Sequence, residues 1–181
     1  MRPRCSVFIA TSLDGFIARE DGSFDWLPGP ESGVTDHGYD AFMSSIDGLV
    51  LGRATYDFVR TLGPWPFGTR RAVVLSRSSP PIAPLHAPFA SLHPGPPRAA
   101  LDALASLGCR HLYVDGGATI QAFLAEGLID DLTITTIPIL IGSGRRLFGA
   151  LPADVRLELL AAQPFPGGLS QSRWRVVNPA P

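Results

Sequence analysis

The chain has 181 residues, 45% of them apolar and 17% charged, with a formal net charge of -1. That length suits one domain burying about two-thirds of its unfolded surface, so residues 1–181 are expected to form a single domain. A near-neutral charge offers no basic face for nucleic acid, and no run approaches the roughly 18 apolar residues that cross a bilayer, so neither is an expected partner.

In chain order, the N-terminal "MRPRCSVFIATSLDG" has basic residues and a short apolar run that stops at Thr11-Ser12 with no small-residue cleavage site beyond it, which reads as an unexported, cytoplasmic protein. Within it "CSVFIA" is a strand. Helical spacing follows over 35–46, "DGLVLG" is a strand, 53–62 a helix and "RAVVLS" a strand. The proline-rich "SRSSPPIAPLHAPFASLHPGPP" reads as a loop carrying one short strand, "FASL", because its two sides continue one alternation. A helix over 97–107 sets Leu101, Leu104, Ala105 and Leu107 on or near one stripe, "HLYVDG" is a strand, and 117–126 is a helix. Gly108 and Gly127 fall where helix C-caps stand.

This alternation predicts an α/β fold of three layers, a mainly parallel sheet between helices. After residue 128, "DDLTITTIPILIG", "VRLELLAAQPF" and "SQSRWRVVN" are strand-like with no crossover helix between them, which predicts an antiparallel C-terminal hairpin. Cys5 and Cys109 form no CxxC or Cys/His cluster and read as two buried thiols. His37, His86, His93 and His111 lack metal-ligand spacing, and Ser143 lacks a nucleophile elbow.

Two turns carry the chemistry. In "LVLGRATYD" (49–57), Gly52-Arg53 ends an apolar strand where open α/β sheets bind ligands. The next helix brings its unpaired N–H groups, and Thr55 and Arg53 add a hydroxyl and a fork suited to phosphate. In "YVDGGATIQAFLAEGLID" the logic repeats: a strand, then Gly116-Gly117, then a helix opening with Ala118 and Thr119. The spacing is not GxGxxG, yet two such turns in one sheet predict a nucleotide across the strand ends. Ser76 and Arg77, ending "VVLSR", could bracket a ribose phosphate and favour NADP over NAD. Each feature alone also fits a tight turn or a solvated arginine.

Together "SLDGFIA", "DWL", "LVLGRATYD", "VLSR", "DGGATI" and "IPILIGSGRRLF" resemble the dihydrofolate reductase superfamily, and more closely the branch with the reductase domain of bacterial riboflavin biosynthesis (RibD C-terminal-like). The resemblance implies NADPH as cofactor. It matches Ala10 and Ile17 to nicotinamide contacts, Gly52, Arg53 and Thr55 to the phosphate turn, Ser76 and Arg77 to adenosine-side contacts, and Gly116, Gly117, Ala118 and Thr119 to the pyrophosphate turn. It also implies Asp36 as the catalytic carboxylate, with Asp40 competing, and Trp26 and Thr135 as substrate-binding residues; Asp36 equally fits a helix N-terminal acid. Phe42 stands at the helix position examined for the folate enzymes' glutamate-binding arginine, and the deaminase zinc signature is absent.

The implied activity is hydride transfer from NADPH to a small nitrogen heterocycle such as a pterin or pyrimidinone. The alternatives are an NADP-binding sensor or assembly protein without catalysis, and a reductase using a flavin or deazaflavin. Arg145 or Arg146 could meet a substrate phosphate or lie on a surface loop. "TTIPILIG" is a candidate strand for a homodimer contact or an ordinary buried edge.

Overall fold

Uninterrupted apolar runs such as "GLVLG" belong at the middle of a covered parallel sheet, because both faces of each strand meet helices. In the computed structural model, which describes residues 2–28, 37–78 and 81–177, this run is β3 (Gly48–Gly52), buried at every position. Around it lie β1 (Arg4–Ser12), β4 (Arg71–Leu75), β5 (Ala90–His93), β6 (His111–Asp115), β7 (Asp131–Ile137), β9 (Arg156–Phe165) and β10 (Leu169–Val177). The order across the eight-stranded sheet is β5-β4-β3-β6-β1-β7-β10-β9. The first six are mutually parallel, and β10 runs antiparallel to both β7 and β9. The fold is the α/β sandwich with a C-terminal antiparallel hairpin that the sequence predicts.

Strand alternation sends Leu49 and Leu51 to one face and Val50 to the other. On the first face α1 (Tyr39–Ser44) and α2 (Arg53–Thr61) bury Met43, Tyr56 and Val59. On the second, α3 (Pro97–Ser106) and α4 (Gly117–Ala125) bury Leu101, Leu104, Ile120 and Phe123 against Val7, Val50 and Val114. Each fully buried side chain of this kind contributes about 1.5–3 kcal/mol. Gly108 and Gly127 take positive φ just beyond α3 and α4, ending them as C-cap glycines do.

Two expectations are corrected and one element is added. The helix predicted over 35–46 is confined, among the described residues, to Tyr39–Ser44, because His37 (φ 52) and Gly38 (φ 87) both adopt left-handed backbone immediately before it. "TTIPILIG" is no edge strand: β7 ends at Ile137 and lies between β1 and β10. A two-stranded ribbon of β2 (Phe16–Ala18) and β8 (Arg145–Arg146) went unread, being too short to show a period.

Both cysteines are free and buried. Burial, reinforced by Asp130, pushes the Cys5 thiol up to about 12, and burial also raises Cys109. Because the thiolate is the reactive form, the folded protein is expected to react negligibly with a disulfide reagent at pH 8, and both thiols to react in denaturant. Fast reaction of either without denaturant would contradict the packing. Among the described residues, no helix is long and apolar enough to cross a membrane.

Candidate active site

The two glycine turns meet. A Cβ built on Gly52 falls 2.7 Å from Thr119 Oγ1, and one built on Gly116 falls 2.8 Å from Thr55 Oγ1 and 3.2 Å from Gly52 Cα. One built on Gly117 falls 2.7 Å from Ile17 Cδ1. The missing side chains would therefore point into protein rather than towards a ligand. Glycine is required because the starts of α2 and α4 press on each other, and this closeness brings both helix N-termini to one place.

No side chain caps either helix, so their first-turn amides have no intrahelical acceptor and carry the positive end of the dipole. They face a cleft of about 750 Å³ whose lining includes Gly52, Arg53, Thr55, Ser76, Arg77 and Gly116 through Thr119. Every cofactor-binding residue expected from the sequence, except Ala10 and Ile17, is thus in one cleft. Ile17 abuts Gly117 beside it, while Ala10 stands apart, packed against Trp26. Arg53 is not free: its Nε donates to Asp57 at 2.6 Å and its Nη1 to Ser78 Oγ at 3.3 Å. Asp57 also lines the cleft.

A second cavity of about 610 Å³ adjoins through Thr55, which lines both. Between α1 and α2, its walls include Tyr39, Asp40, Met43, Phe58, Tyr113 and Asp115. Burial pushes the Asp115 carboxyl up to about 6, although the Gly116 amide, donating to its Oδ1 at 2.8 Å, and the Tyr113 hydroxyl favour the charged form. Burial, and then Asp115 itself, raises the Tyr39 phenol to about 12. Arg70 also lines this cavity, with its guanidinium donating to the carbonyls of Met43, Ile46 and Phe67.

The sequence profile of the RibD C-terminal domain matches residues 96–170. The uncharacterized protein YwjB of Bacillus subtilis (strain 168) is 36% identical over 167 residues, covering 91% of this chain and 94% of YwjB. A crystal structure of a Shewanella sp. PV-4 protein, provisionally assigned to riboflavin biosynthesis, superposes with a TM-score of 0.87 at 36% identity, covering 98% of this chain and 100% of that one. The chain belongs to the RibD C-terminal domain family. Its fold is that of the dihydrofolate reductase superfamily: the Enterococcus faecalis dihydrofolate reductase, solved with NADP(H), superposes with a TM-score of 0.64 at 16% identity over 97% of each chain. Family and fold are those of reductases.

In this RibD C-terminal domain, of the two residues expected to hold substrate, Thr135 stands on β7 beside Ala10 of β1, the residue expected at the nicotinamide, and Trp26 lies in the segment after β2. Ala10 and Thr135 are register partners. Thr135 Oγ1 accepts from Gln171 Nε2 at 2.9 Å, and the same Nε2 donates to the His37 carbonyl at 3.1 Å. Trp26 packs with Ile137 and Leu169, and its buried Nε1 donor has no partner among the described residues. Asp36 lies outside the described residues. Asp40 lines the same cavity as Asp115. Asp115 went unread in the sequence although it stands directly before the glycine pair; a carboxylate ending a central apolar strand was the available signal. Arg145 Nη2 donates to the Glu20 carbonyl at 3.3 Å, and the Arg146 guanidinium lies 4.4 Å from the Phe16 ring centre, both in the exposed ribbon.

Proposed function

We propose that this chain is a single-domain, NADPH-dependent reductase of a small nitrogen heterocycle, with Asp115 as its proton donor. The observation that carries the reading is the joining of two compartments at Thr55: an anion-binding cleft built on two uncapped helix N-termini, and a cavity holding a carboxyl whose proton is retained to about pH 6. The cleft volume lies within the range of cofactor sites. NADPH would supply the hydride.

The residues divide the remaining work. The first-turn amides of α2 and α4 bind pyrophosphate oxygens, and Arg53, Ser76 and Arg77 bind the 2′-phosphate. Ile17 excludes water beside Gly117. Tyr39, Met43 and Phe58, which line the cavity with Asp115, flank the heterocycle, while Trp26 and Thr135, the contacts the family resemblance suggests, line neither compartment. Asp115 keeps a proton in an environment that disfavours its anion and delivers it to a ring nitrogen. Asp36, which the family resemblance suggests for that step, remains a second proposed carboxylate.

Titration with NADPH and with NADH, followed by tryptophan fluorescence, tests the reading. NADPH is expected to bind more tightly, and Arg53→Ala to weaken NADPH by about 10–100-fold, the loss of one charge-assisted phosphate contact, with little change for NADH. Failure of the wild-type chain to bind either cofactor would sink the reductase assignment. Binding without oxidation of NADPH by any pterin or pyrimidinone would favour a non-catalytic NADP-binding protein.

A further inference from the structure

A third hollow lies on the other side of α1. It is a groove of about 660 Å³ between α1 and the β9–β10 hairpin, and its lining shares no residue with the cofactor cleft or with the Asp115 cavity. Strand alternation explains its floor, since directly paired side chains point the same way. The register sets Phe8, Thr133 and Arg173 in one row and Ala10, Thr135 and Gln171 in the next, and the Phe8 ring packs on Tyr39 and Phe42. α1 divides the two cavities: Ala41 and Phe42 line the groove, whereas Tyr39, Asp40 and Met43 line the Asp115 cavity.

Two guanidiniums, those of Arg4 and Arg173, line the groove against one carboxylate. That carboxylate, buried Asp131, already accepts from Arg4 Nε and from Ser6 Oγ, both at 2.8 Å. Burial, and then Arg4, lowers the His111 imidazole below its usual value, so near neutral pH the lining carries a net of one positive charge. The Arg173 guanidinium has no hydrogen-bond or ion-pair partner among the described residues. Towards the strand ends the lining turns aromatic. The His37 ring stands edge-on to Phe165 at 4.7 Å, and Phe8 and Phe42 lie 5.1 Å apart. His37 Nε2 is buried and also lacks a partner among the described residues. An unpaired guanidinium and an unmet buried ring nitrogen in the lining of one cavity are contacts that a guest can complete.

We propose that this groove is a separate ligand site, taking a small aromatic carboxylate. The Arg173 fork receives the carboxylate, a planar anion matched to it, with Arg4 adding charge from the same lining. One net positive charge suits a single carboxylate better than a phosphate dianion, which would stand against Asp131. The rings of Phe8, Phe42 and Phe165 flank the aromatic part, and His37 Nε2 meets a polar substituent on it. The guest rests on α1, the helix that also walls the Asp115 cavity, so an occupied groove braces that wall from behind. Only this last consequence bears on the proposed reductase reaction; the site itself does not rest on it.

Calorimetric titration of the full chain with 4-hydroxybenzoate tests this, with inorganic phosphate as the competing anion. Saturable binding is expected at one site per chain. Arg173→Ala is expected to weaken it by at least about 10-fold, and Arg173→Lys, which keeps the charge without the fork, to recover only part of that loss. Arg173 is exposed, so both variants should melt like wild type. Saturating NADPH should leave the affinity unchanged, as should Phe58→Ala in the other cavity. No saturable binding, an undiminished affinity in folded Arg173→Ala, displacement by NADPH, loss of binding in Phe58→Ala, or equally tight binding of phosphate overturns the proposal.

Discussion

Asp115→Asn is expected to lower reductase turnover by about 10²–10⁴-fold, the usual loss when a positioned general acid is removed. Only the protonated carboxyl can donate, so wild-type kcat/KM should fall as pH rises through the raised value of about 6, and the variant should lose that limb. Stability should fall over the same rise in pH. In the unfolded chain the group titrates near 3.8, and in the folded chain near 6. Between these values the folded state holds more protons, so this group's contribution to stability falls as pH rises across the window, with the full cost above it. At pH 7.5 the asparagine variant, free of a buried anion and still able to accept from Gly116, should melt higher than wild type; at pH 4 the gain should shrink. An unchanged pH profile with undiminished turnover would remove Asp115 from the mechanism and return attention to Asp36.

Gly116→Ala carries the largest expected effect on stability. Gly116 has φ 104, and the added methyl would lie 2.8 Å from Thr55 Oγ1 and 3.2–3.3 Å from Gly52 backbone atoms, which cannot swing aside. Backbone strain and overpacking together cost about 2–5 kcal/mol, a drop on the order of 5–15 °C in Tm for a chain of this size. NADPH affinity should fall too, since separating the turns misdirects two sets of amides at once. A variant that melts and binds like wild type would show that the turns are not locked together.

The phosphate-type cleft was legible in the sequence because it rests on short-range signals: an apolar run, a glycine, then a helix, twice over. The reason for the glycines was not legible, because the atoms they avoid belong to the other turn, 64 positions apart along the chain at Gly52 and Gly116. Asp115 was missed for a related reason. Its raised value comes from burial at the end of β6, in a cavity lined by residues far apart in the chain, and no local pattern marks a carboxylate that will keep its proton. The start of α1 was misplaced because the left-handed turn at His37-Gly38 depends on one glycine in a segment whose spacing is otherwise helical.

The shortness of α1 has a consequence for access. Six residues form fewer than two turns, too few for a helix to persist on its own backbone bonds. It is fastened instead by Tyr39, Phe42 and Met43 packing on the sheet, and by Arg70 gripping the carbonyls of Met43 and Ile46 at its far end. The wall beside Asp115 therefore depends on side-chain contacts more than on its own backbone bonds. Such elements open locally at far smaller free energies than global unfolding, so the backbone amides of α1 are expected to exchange hydrogen with solvent faster than those of the buried β3.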